Sequence, residues 1–286
     1  YNAGSAGRAA VIQDRGNRTI YKNVRMLSYQ DTYYSQNSAM QSYFSGCDLH
    51  GTVDFLCGGG DVRFDSTTIS LEPRNKATGA GGRTITAPTT TTRFGYVFDG
   101  CKVVDLATNG AGDWNYGRTW QNSPICVWLN TTLDDVAAKT IVPLRWTQKG
   151  MNNRDPKVFG EYNTMDKTGK NITPESNVIT SYGGKFETIL NADQAAVYAY
   201  DSMFTNWDPR ALSSQLAVKN AKGSDGSLSW DATEGAEAYA VFVDGKFEGI
   251  TAQTSYAPAT TGKRYEVRAA NAMGGFGPAA VVATAD

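Results

Sequence analysis

The strongest constraint on the fold of this chain is an irregular repeat in its first half. In each unit an aromatic side chain is followed three residues later by a small or thiol side chain, and two residues after that by an aliphatic one. The five units are Tyr21, Val24 and Met26; Phe44, Cys47 and Leu49; Phe64, Thr67 and Ile69; Phe98, Cys101 and Val103; and Trp128, Thr131 and Leu133.

The spacing of these units favours a solenoid over a sandwich. Successive aromatic residues are 23, 20, 34 and 30 positions apart. A unit with alternating burial that recurs every 20 to 30 residues is typical of a parallel β-helix, with loops inserted in its longer turns. An ordinary β-sandwich explains the alternation but not the recurring unit. We therefore predict an all-β chain that begins with a right-handed parallel β-helix, in which the equivalent Cys, Thr and Val side chains form an inward ladder.

Composition excludes several classes of function. The 27 basic and 28 acidic residues are balanced, which predicts no nucleic-acid partner. No apolar run approaches the roughly 18 residues of a membrane span. The four cysteines contain no CxxC pair, so we predict no metal site. Buried thiols are the favoured interpretation of these cysteines, and a disulfide is left open.

The single histidine, His50, restricts the chemistry further. A Ser-His-Asp arrangement would have only this base available, and the chain has no GxSxG nucleophile turn. Hydrolysis by this chain would therefore rest on carboxylates, and His50 is interpreted as a structural or rim-lining residue.

Two aspartates have the spacing that carboxylate chemistry needs. Asp31 and Asp54 are 23 residues apart, about one coil of the predicted solenoid. Coils stack at roughly 4.8 Å, so residues one coil apart on one face lie side by side. Of two carboxyl groups that close, one has a raised pKa and the other stays ionised, which provides a proton donor and a nucleophile or base.

The strings around these aspartates resemble a known family. QDT at residues 30–32, GTVDF at 51–55 and YGRTW at 116–120 are similar to the QDTLY, GTVDFIFG and LGRPW of pectin methylesterases, or pectinesterases. FGEYNT at 159–164 and NWDP at 206–209 also fit this family. Three strings in the right order are much more specific than any one of them.

The resemblance implies a role for each matching residue. Asp54 corresponds to the nucleophile that attacks the methyl ester of galacturonate, and Asp31 to the acid/base that protonates methanol and then activates water. Gln30 corresponds to an oxyanion donor, Arg118 to the guanidinium that holds the nucleophile, and Trp120 to an aromatic that packs on a sugar ring. The implied substrate is methylated polygalacturonate, and no metal or organic cofactor is implied.

Two positions depart from the family pattern. The family has a glutamine 22 residues before the Gln of QDT, where this chain has Arg8. It also favours an aromatic where this chain has Cys57. Arg8 either binds substrate as an oxyanion donor or forms a salt bridge with the aspartates that blocks attack.

The chain changes character after Arg210. Residues 212–286 consist of short alternating segments, with Asp244-Gly245 as a hairpin signal, and Trp230, Tyr239 and Tyr265 are spaced like the core aromatics of a fibronectin type III-like sandwich. We therefore predict a β-helix domain at 1–210 and a small β-sandwich at 212–286. The resemblance also implies further coils before residue 1, and a secreted, periplasmic or cell-surface location.

Two alternative functions stay open. The first is a catalytically silent pectin-binding protein on the same scaffold. The second is another β-helix enzyme, a lyase or a polygalacturonase, for which the Asp134-Asp135 pair would be the candidate. Release of methanol from methylated pectin, set against the formation of double bonds or reducing ends, separates these hypotheses. The sequence gives no prediction of oligomeric state.

Overall fold

The fold was analysed in a computed structural model, which describes residues 8–73, 83–89, 93–106, 113–147, 150–224 and 226–283. The chain divides into two compact units, Tyr1–Thr205 and Asn206–Asp286. This division falls a few residues before the boundary that the sequence predicts between residues 210 and 212.

The first unit is built from three parallel sheets, and each coil of the chain adds one strand to each of them. The first sheet contains β1 (Ile12–Asp14), β4 (Tyr33–Ser35), β7 (Val53–Gly58), β10 (Thr84–Pro88) and β13 (Asn115–Gly117). The second sheet contains β2 (Thr19–Lys22), β5 (Gln41–Ser45), β8 (Asp61–Asp65), β11 (Tyr96–Asp99), β14 (Ile125–Leu129) and β16 (Val158–Tyr162). The third sheet contains β3 (Arg25–Met26), β6 (Asp48–Gly51), β9 (Thr68–Leu71), β12 (Lys102–Asp105) and β15 (Thr132–Leu133). This arrangement confirms the predicted parallel β-helix.

The repeat in the sequence is the register of this solenoid. The aromatic residues of the five units are direct neighbours in the second sheet. Their rings stack at centroid distances of 4.5, 4.7, 4.4 and 3.9 Å from Tyr21 to Trp128. The aliphatic residues form the equivalent row in the third sheet, from Met26 to Leu133. Because the ring separations are close to the strand spacing, one aromatic residue from each of these coils adds to a continuous stack in the core.

The small residues of the repeat form the predicted inward ladder between these two sheets. Cys47, Thr67, Cys101 and Thr131 are at most 2% exposed. The Cys101 thiol lies 3.2 Å from the carbonyl oxygen of Phe64 on the coil before it. All four cysteines of the chain are free and buried, so the buried-thiol interpretation is confirmed and the disulfide alternative is wrong.

The last coil that adds a strand to all three sheets ends with β15, and β16 continues only the second sheet. The rest of the first unit contains α1 (Ala137–Thr140), a short 3-10 turn (Met151–Asn153), the antiparallel pair β17 (Val178–Thr180) and β18 (Lys185–Glu187), α2 (Ala192–Ala196) and α3 (Tyr200–Met203). Buried Arg63 joins α2 and α3 to the second sheet. It binds Asp65 at 2.6 Å and donates to the carbonyl oxygen of Tyr198 at 2.8 Å.

The second unit begins with α4 (Pro209–Leu212) and contains two antiparallel sheets. One consists of β19 (Lys222–Ser224), β20 (Ser227–Ser229) and β23 (Ser255–Tyr256). The other has the order β22 (Lys246–Thr251), β21 (Ala238–Val243), β24 (Arg264–Ala270) and β25 (Ala280–Ala283). The predicted hairpin is confirmed, because Asp244 and Gly245 both have positive φ, 48° and 78°, between β21 and β22. No helix in the described parts of either unit is long and apolar enough to cross a membrane.

We call the stack of rings from Tyr21 to Trp128 the aromatic column, and we predict that it is a main source of stability. Phe64 is fully buried and stacks on Phe44 and Phe98. We expect Phe64→Ala to lower the free energy of unfolding by about 3–5 kcal/mol, because it removes a ring from the middle of a packed column. Urea denaturation followed by fluorescence would measure this loss, with exposed Lys102→Ala as the control. A loss below about 1 kcal/mol for Phe64→Ala would show that the column is not a main source of stability.

Candidate active site

Asp31 and Asp54 lie at equivalent places on neighbouring coils. Gln30 pairs in parallel with Val53, and the next backbone N–H, that of Asp31, donates to the carbonyl oxygen of Val53 at 3.4 Å. Asp54 follows Val53 directly, so the two aspartates stand side by side at the start of the first sheet. The predicted juxtaposition of the two carboxyl groups is thereby explained by one inter-coil pairing.

A shared irregularity of the backbone sets the direction of both side chains. β7 has a bulge where it pairs with β10. Val53 pairs with Thr84 and Leu56 with Thr86, so two residues of β7 lie opposite one residue of β10. The coil before it has the same extra residue, because Gln30 pairs with Val53 and Tyr33 with Leu56. Asp31 and Asp54 have φ of 56° and 48°, a left-handed conformation that Asp tolerates better than most residues. Bulges of this kind change the direction of a side chain beside functional sites.

Arg118, which follows β13, holds the carboxylate of Asp54. Its Nε donates to one carboxylate oxygen at 2.9 Å and its Nη2 to the other at 2.5 Å. The side chains are 17% and 9% exposed, so the pair is largely shielded from water. A planar guanidinium that binds both oxygens fixes the carboxylate in orientation as well as position.

Asp31 has a different environment. Its carboxyl group is 8% exposed, and Nε of Arg8 lies 3.0 Å from one of its oxygens, whereas the Arg8 side chain is 59% exposed. Burial, followed by the charge of Asp54, raises the pKa of Asp31 to about 6, and the charges of Arg8 and Arg118 oppose this rise. A raised carboxyl pKa means that Asp31 keeps its proton up to mildly acidic pH. The two carboxyl groups therefore differ in the way expected of a proton donor and a charged partner.

An aromatic pair lies beside Asp31. The rings of Tyr34 and Trp120 are 5.6 Å apart, and the guanidinium of Arg8 is 5.9 Å from each ring centre. Both aromatic side chains are half-buried. The sequence predicts Trp120 at this place but not Tyr34. The position of Tyr34 three residues after Asp31, in the continuation of the QDT string, is the signal that could have found it.

Cys57 lies close to the aspartates and pairs with Tyr34 on the neighbouring coil, but it is buried. Its side chain is 1% exposed, and its backbone oxygen accepts a 2.6 Å hydrogen bond from the Tyr96 hydroxyl. Burial raises the pKa of the Cys57 thiol strongly, and the charges of Asp31 and Asp54 add to this effect. The thiol is therefore a protonated, buried group, and it provides no exposed surface for stacking on a sugar.

His50 and Asp134 are the other candidates for chemistry that the sequence offers. Both make contacts that stabilise the fold. His50 is buried on β6, with its ring nitrogens 2.9 Å from Asp48 and 2.6 Å from Glu72. Asp134 accepts from the backbone N–H groups of Val136 and Ala137 at the start of α1. The structural interpretation of His50 is supported. Across the described ranges, no group of three His, Cys, Asp or Glu side chains is arranged to hold a metal ion.

The arrangement as a whole combines a carboxylate fixed by a guanidinium with a second carboxyl group that is protonated in mild acid. Such a pair can attack an acyl carbon and protonate the group that leaves. Gln30 lies one residue before Asp31 and is half-buried at the same edge. The site thus contains two carboxyl groups in different environments and a side-chain amide within two neighbouring coils.

Comparisons with known proteins agree with this geometry. A putative pectinesterase 11 from Arabidopsis thaliana is 30% identical over 161 residues, which cover 56% of this chain and 42% of that protein. Pectinesterase QRT1 from the same plant is 32% identical over 164 residues, 56% of this chain and 39% of the relative. The chain therefore spans about two fifths of the length of these curated relatives.

Solved structures show the same fold. A pectin methylesterase in complex with a hexasaccharide superposes with a TM-score of 0.52 at 24% identity, over 68% of this chain and 59% of that one. Pectin methylesterase from carrot superposes with a TM-score of 0.51 at 20% identity, over 63% and 55%. The pectinesterase family model matches residues 1–205, which is the whole first unit. This chain belongs to the pectinesterase family.

Proposed function

We propose that this protein is a carboxylic ester hydrolase that removes methyl esters from pectin, the methylated form of polygalacturonate, and releases methanol. The observation that carries the proposal is the asymmetric aspartate pair. Asp54 is held at both oxygens by Arg118, while burial keeps a proton on neighbouring Asp31 in mild acid. Membership of the pectinesterase family agrees with this chemistry.

The first half of the reaction forms an acyl-enzyme. A carboxylate oxygen of Asp54 attacks the ester carbonyl carbon, and the carbonyl electron pair moves to its oxygen. The amide of Gln30 is proposed to donate to this oxyanion, a contribution often worth about 2.7–4 kcal/mol. When the tetrahedral intermediate collapses, the bond to the methoxy oxygen breaks. That oxygen takes the proton of Asp31 and leaves as methanol, so that Asp54 carries the acyl group as an anhydride.

The second half regenerates the enzyme with the same residues. Asp31, now a carboxylate, takes a proton from water as the water oxygen attacks the acyl carbon. The acyl bond to Asp54 breaks and Asp31 is again protonated. The product forms as galacturonic acid, which releases its remaining proton to solvent and departs as the carboxylate. Trp120 is proposed to pack on a sugar ring of the substrate, with Tyr34 completing the aromatic wall.

The contact of Arg8 with Asp31 supports a second candidate, a silent pectin-binding protein. A guanidinium that held Asp31 ionised would remove the proton needed by the leaving group. We favour the enzyme because Arg8 is mostly exposed while Asp31 is buried, and the net effect of the surroundings still raises the pKa of Asp31. A polygalacturonase has less support, since Asp134 is engaged at the start of α1.

The location and the second unit also belong to the proposal. We infer a secreted, periplasmic or cell-surface protein, because polymeric pectin is an extracellular substrate. The second unit is proposed to be a fibronectin type III-like sandwich at residues 212–286, and its two antiparallel sheets and its separate core of Trp230, Tyr239 and Tyr265 support this. The β-helix domain is proposed to cover residues 1–210.

Substitution of the aspartates tests the chemistry. We expect Asp54→Asn to reduce methanol release from methylated pectin to background, because the amide keeps the shape of the carboxylate and loses its nucleophilic charge. Asp31→Asn is expected to be nearly as severe, because the leaving methoxide then has no proton donor. Exposed Asp135→Asn is the matched control and should keep full activity.

The outcome that decides between the two candidates is the behaviour of the wild-type protein. Methanol release would be measured with several methylated pectins between about pH 5 and 9. A folded wild-type protein that binds pectin and releases none would reject the enzyme and leave the binding protein.

The pKa of Asp31 predicts a pH dependence. Protonated Asp31 is the required acid, so kcat/KM should fall as pH rises through about 6. The charge of Arg8 lowers the pKa of Asp31, so Arg8→Gln should move this fall to higher pH. Exposed Arg15→Gln is the matched control: it removes the same charge from a side chain that donates to Gln36, and it should leave the profile in place.

Three results of this experiment are distinguishable. A shift to higher pH supports the coupling of Arg8 to Asp31. An unchanged profile, or a shift to lower pH, contradicts it. An activity that appears only in Arg8→Gln would show that the native ion pair silences the site.

The division of the chain into two compact units at Thr205 makes a further prediction. A chain that ends at Thr205 should fold and retain most methanol release, because the aspartate pair, Arg118 and the aromatic column all lie before that residue. Circular dichroism and the methanol assay would check this. Loss of folding on truncation would show that the β-helix depends on residues 206–286.

A further inference from the structure

One face of the four-stranded sheet of the second unit packs in the core of that unit, and the opposite face lies outside this core. Val241, Val243 and Val267 point into the core and are at most 4% exposed. The alternating residues of the same strands lie on the opposite face. Three phenylalanines and two arginines are grouped there, and we call this set the aromatic face: Phe242, Phe247, Phe276, Arg264 and Arg268.

The rings on this face contact one another at the protein surface. Phe247 is 61% exposed and Phe276 is 44% exposed. Phe242 lies between them, with ring centres 5.8 Å from Phe247 and 6.4 Å from Phe276, both at steep angles. Exposed Ile250 adds to the same patch, since it and Arg268 both pair with Ala240. Contiguous apolar groups of this kind on a surface mark an interaction site.

The charges on this face are arranged around one buried carboxylate. Glu266 is 7% exposed and binds Arg264 through one oxygen and Arg268 through the other, the latter at 3.0 Å. The arginine side chains are themselves 51% and 37% exposed. The guanidinium of Arg268 also lies 5.7 Å from the centre of the Phe242 ring. Glu266 therefore orients two exposed guanidinium groups and cancels only one of their charges.

We propose that the aromatic face binds an acidic polysaccharide, and specifically a polymer of uronic acid. Such a polymer presents apolar faces of sugar rings, which pack on aromatic side chains, and regularly spaced carboxylates, which match the fork of an arginine. The net positive charge of the face complements this polyanion. The choice of uronate rests on the proposed function, because a second contact with the same polymer raises its effective concentration at the aspartate pair.

The test uses the full chain and polygalacturonate without methyl esters, so that binding is measured apart from turnover. We expect the wild-type protein to bind this polymer in a titration, and more weakly as salt is raised. Arg268→Gln should weaken binding about tenfold, because a charge-assisted hydrogen bond is lost while an amide can still reach Glu266. The double variant Phe247→Ala, Phe276→Ala changes only exposed rings and should weaken binding to a similar extent.

Controls separate this site from the aspartate site. Lys219→Gln removes an exposed charge of the second unit outside the four-stranded sheet and should bind like the wild type. On methylated polymer, the variants of the aromatic face should raise KM and leave kcat unchanged. Circular dichroism would establish that each variant is folded.

The outcomes distinguish the two proposals. Wild-type affinity in the face variants, or absence of polygalacturonate binding by the wild type, overturns the aromatic face as a binding site. A wild-type dimer that these variants convert to a monomer, with polymer binding unaltered, assigns the face to self-association instead. Absence of methanol release, together with binding that depends on the face, rejects the proposed esterase and leaves the binding site standing.

Discussion

The register between consecutive coils is the constraint on which the β-helix depends. Parallel pairing places equivalent residues of neighbouring coils beside each other, at the spacing of strands in a sheet. The aromatic column from Tyr21 to Trp128 fills the interior at this spacing, and a slip of one residue would move every ring out of the core. The same register pairs Gln30 with Val53 and so sets the aspartates side by side. The packing that stabilises the fold and the geometry of the site therefore have one cause.

Two carboxyl groups this close repel each other when both are ionised, and the site compensates their two charges to different extents. Arg118 binds both oxygens of Asp54, which compensates that charge directly. Among the residues that the structure describes, Asp31 forms its salt bridge with Arg8, which is mostly exposed, and burial and the charge of Asp54 raise its pKa. A buried charge whose partner is exposed is only partly compensated, and retention of a proton lowers that cost for Asp31. The difference between the two residues follows from their partners, since their backbone conformations are nearly the same.

The sequence was sufficient for the fold class, because a repeat of aromatic, small and aliphatic residues at this spacing is compatible with few folds besides a solenoid. It was also sufficient for the pairing of Asp31 with Asp54, since their separation equals a coil. It could not predict the extra residue of β7, because the strings QDT and GTVDF contain no glycine or proline at the bulge to mark an irregular strand. Tyr34 could not be placed for a related reason. Whether an aromatic residue in a strand points inward or outward depends on the local bulge, and Tyr33 is buried while Tyr34 reaches the site.

Arg8 changes the charge balance of the site in a way that a glutamine could not. When Asp31 carries its proton, Arg8 and Arg118 give the group of four one net positive charge, whereas Arg118 alone would leave it neutral. The proposed substrate is a polyanion, and each turnover adds a carboxylate to it. A positive site attracts that polymer more than a neutral one, and exposed Arg8 lies where the polymer would approach the aromatic pair. The same guanidinium lowers the pKa of Asp31, which weakens the protonation that the leaving group requires. In the proposed reaction, the substitution would thus exchange part of the acid function of Asp31 for electrostatic attraction of the highly charged substrate.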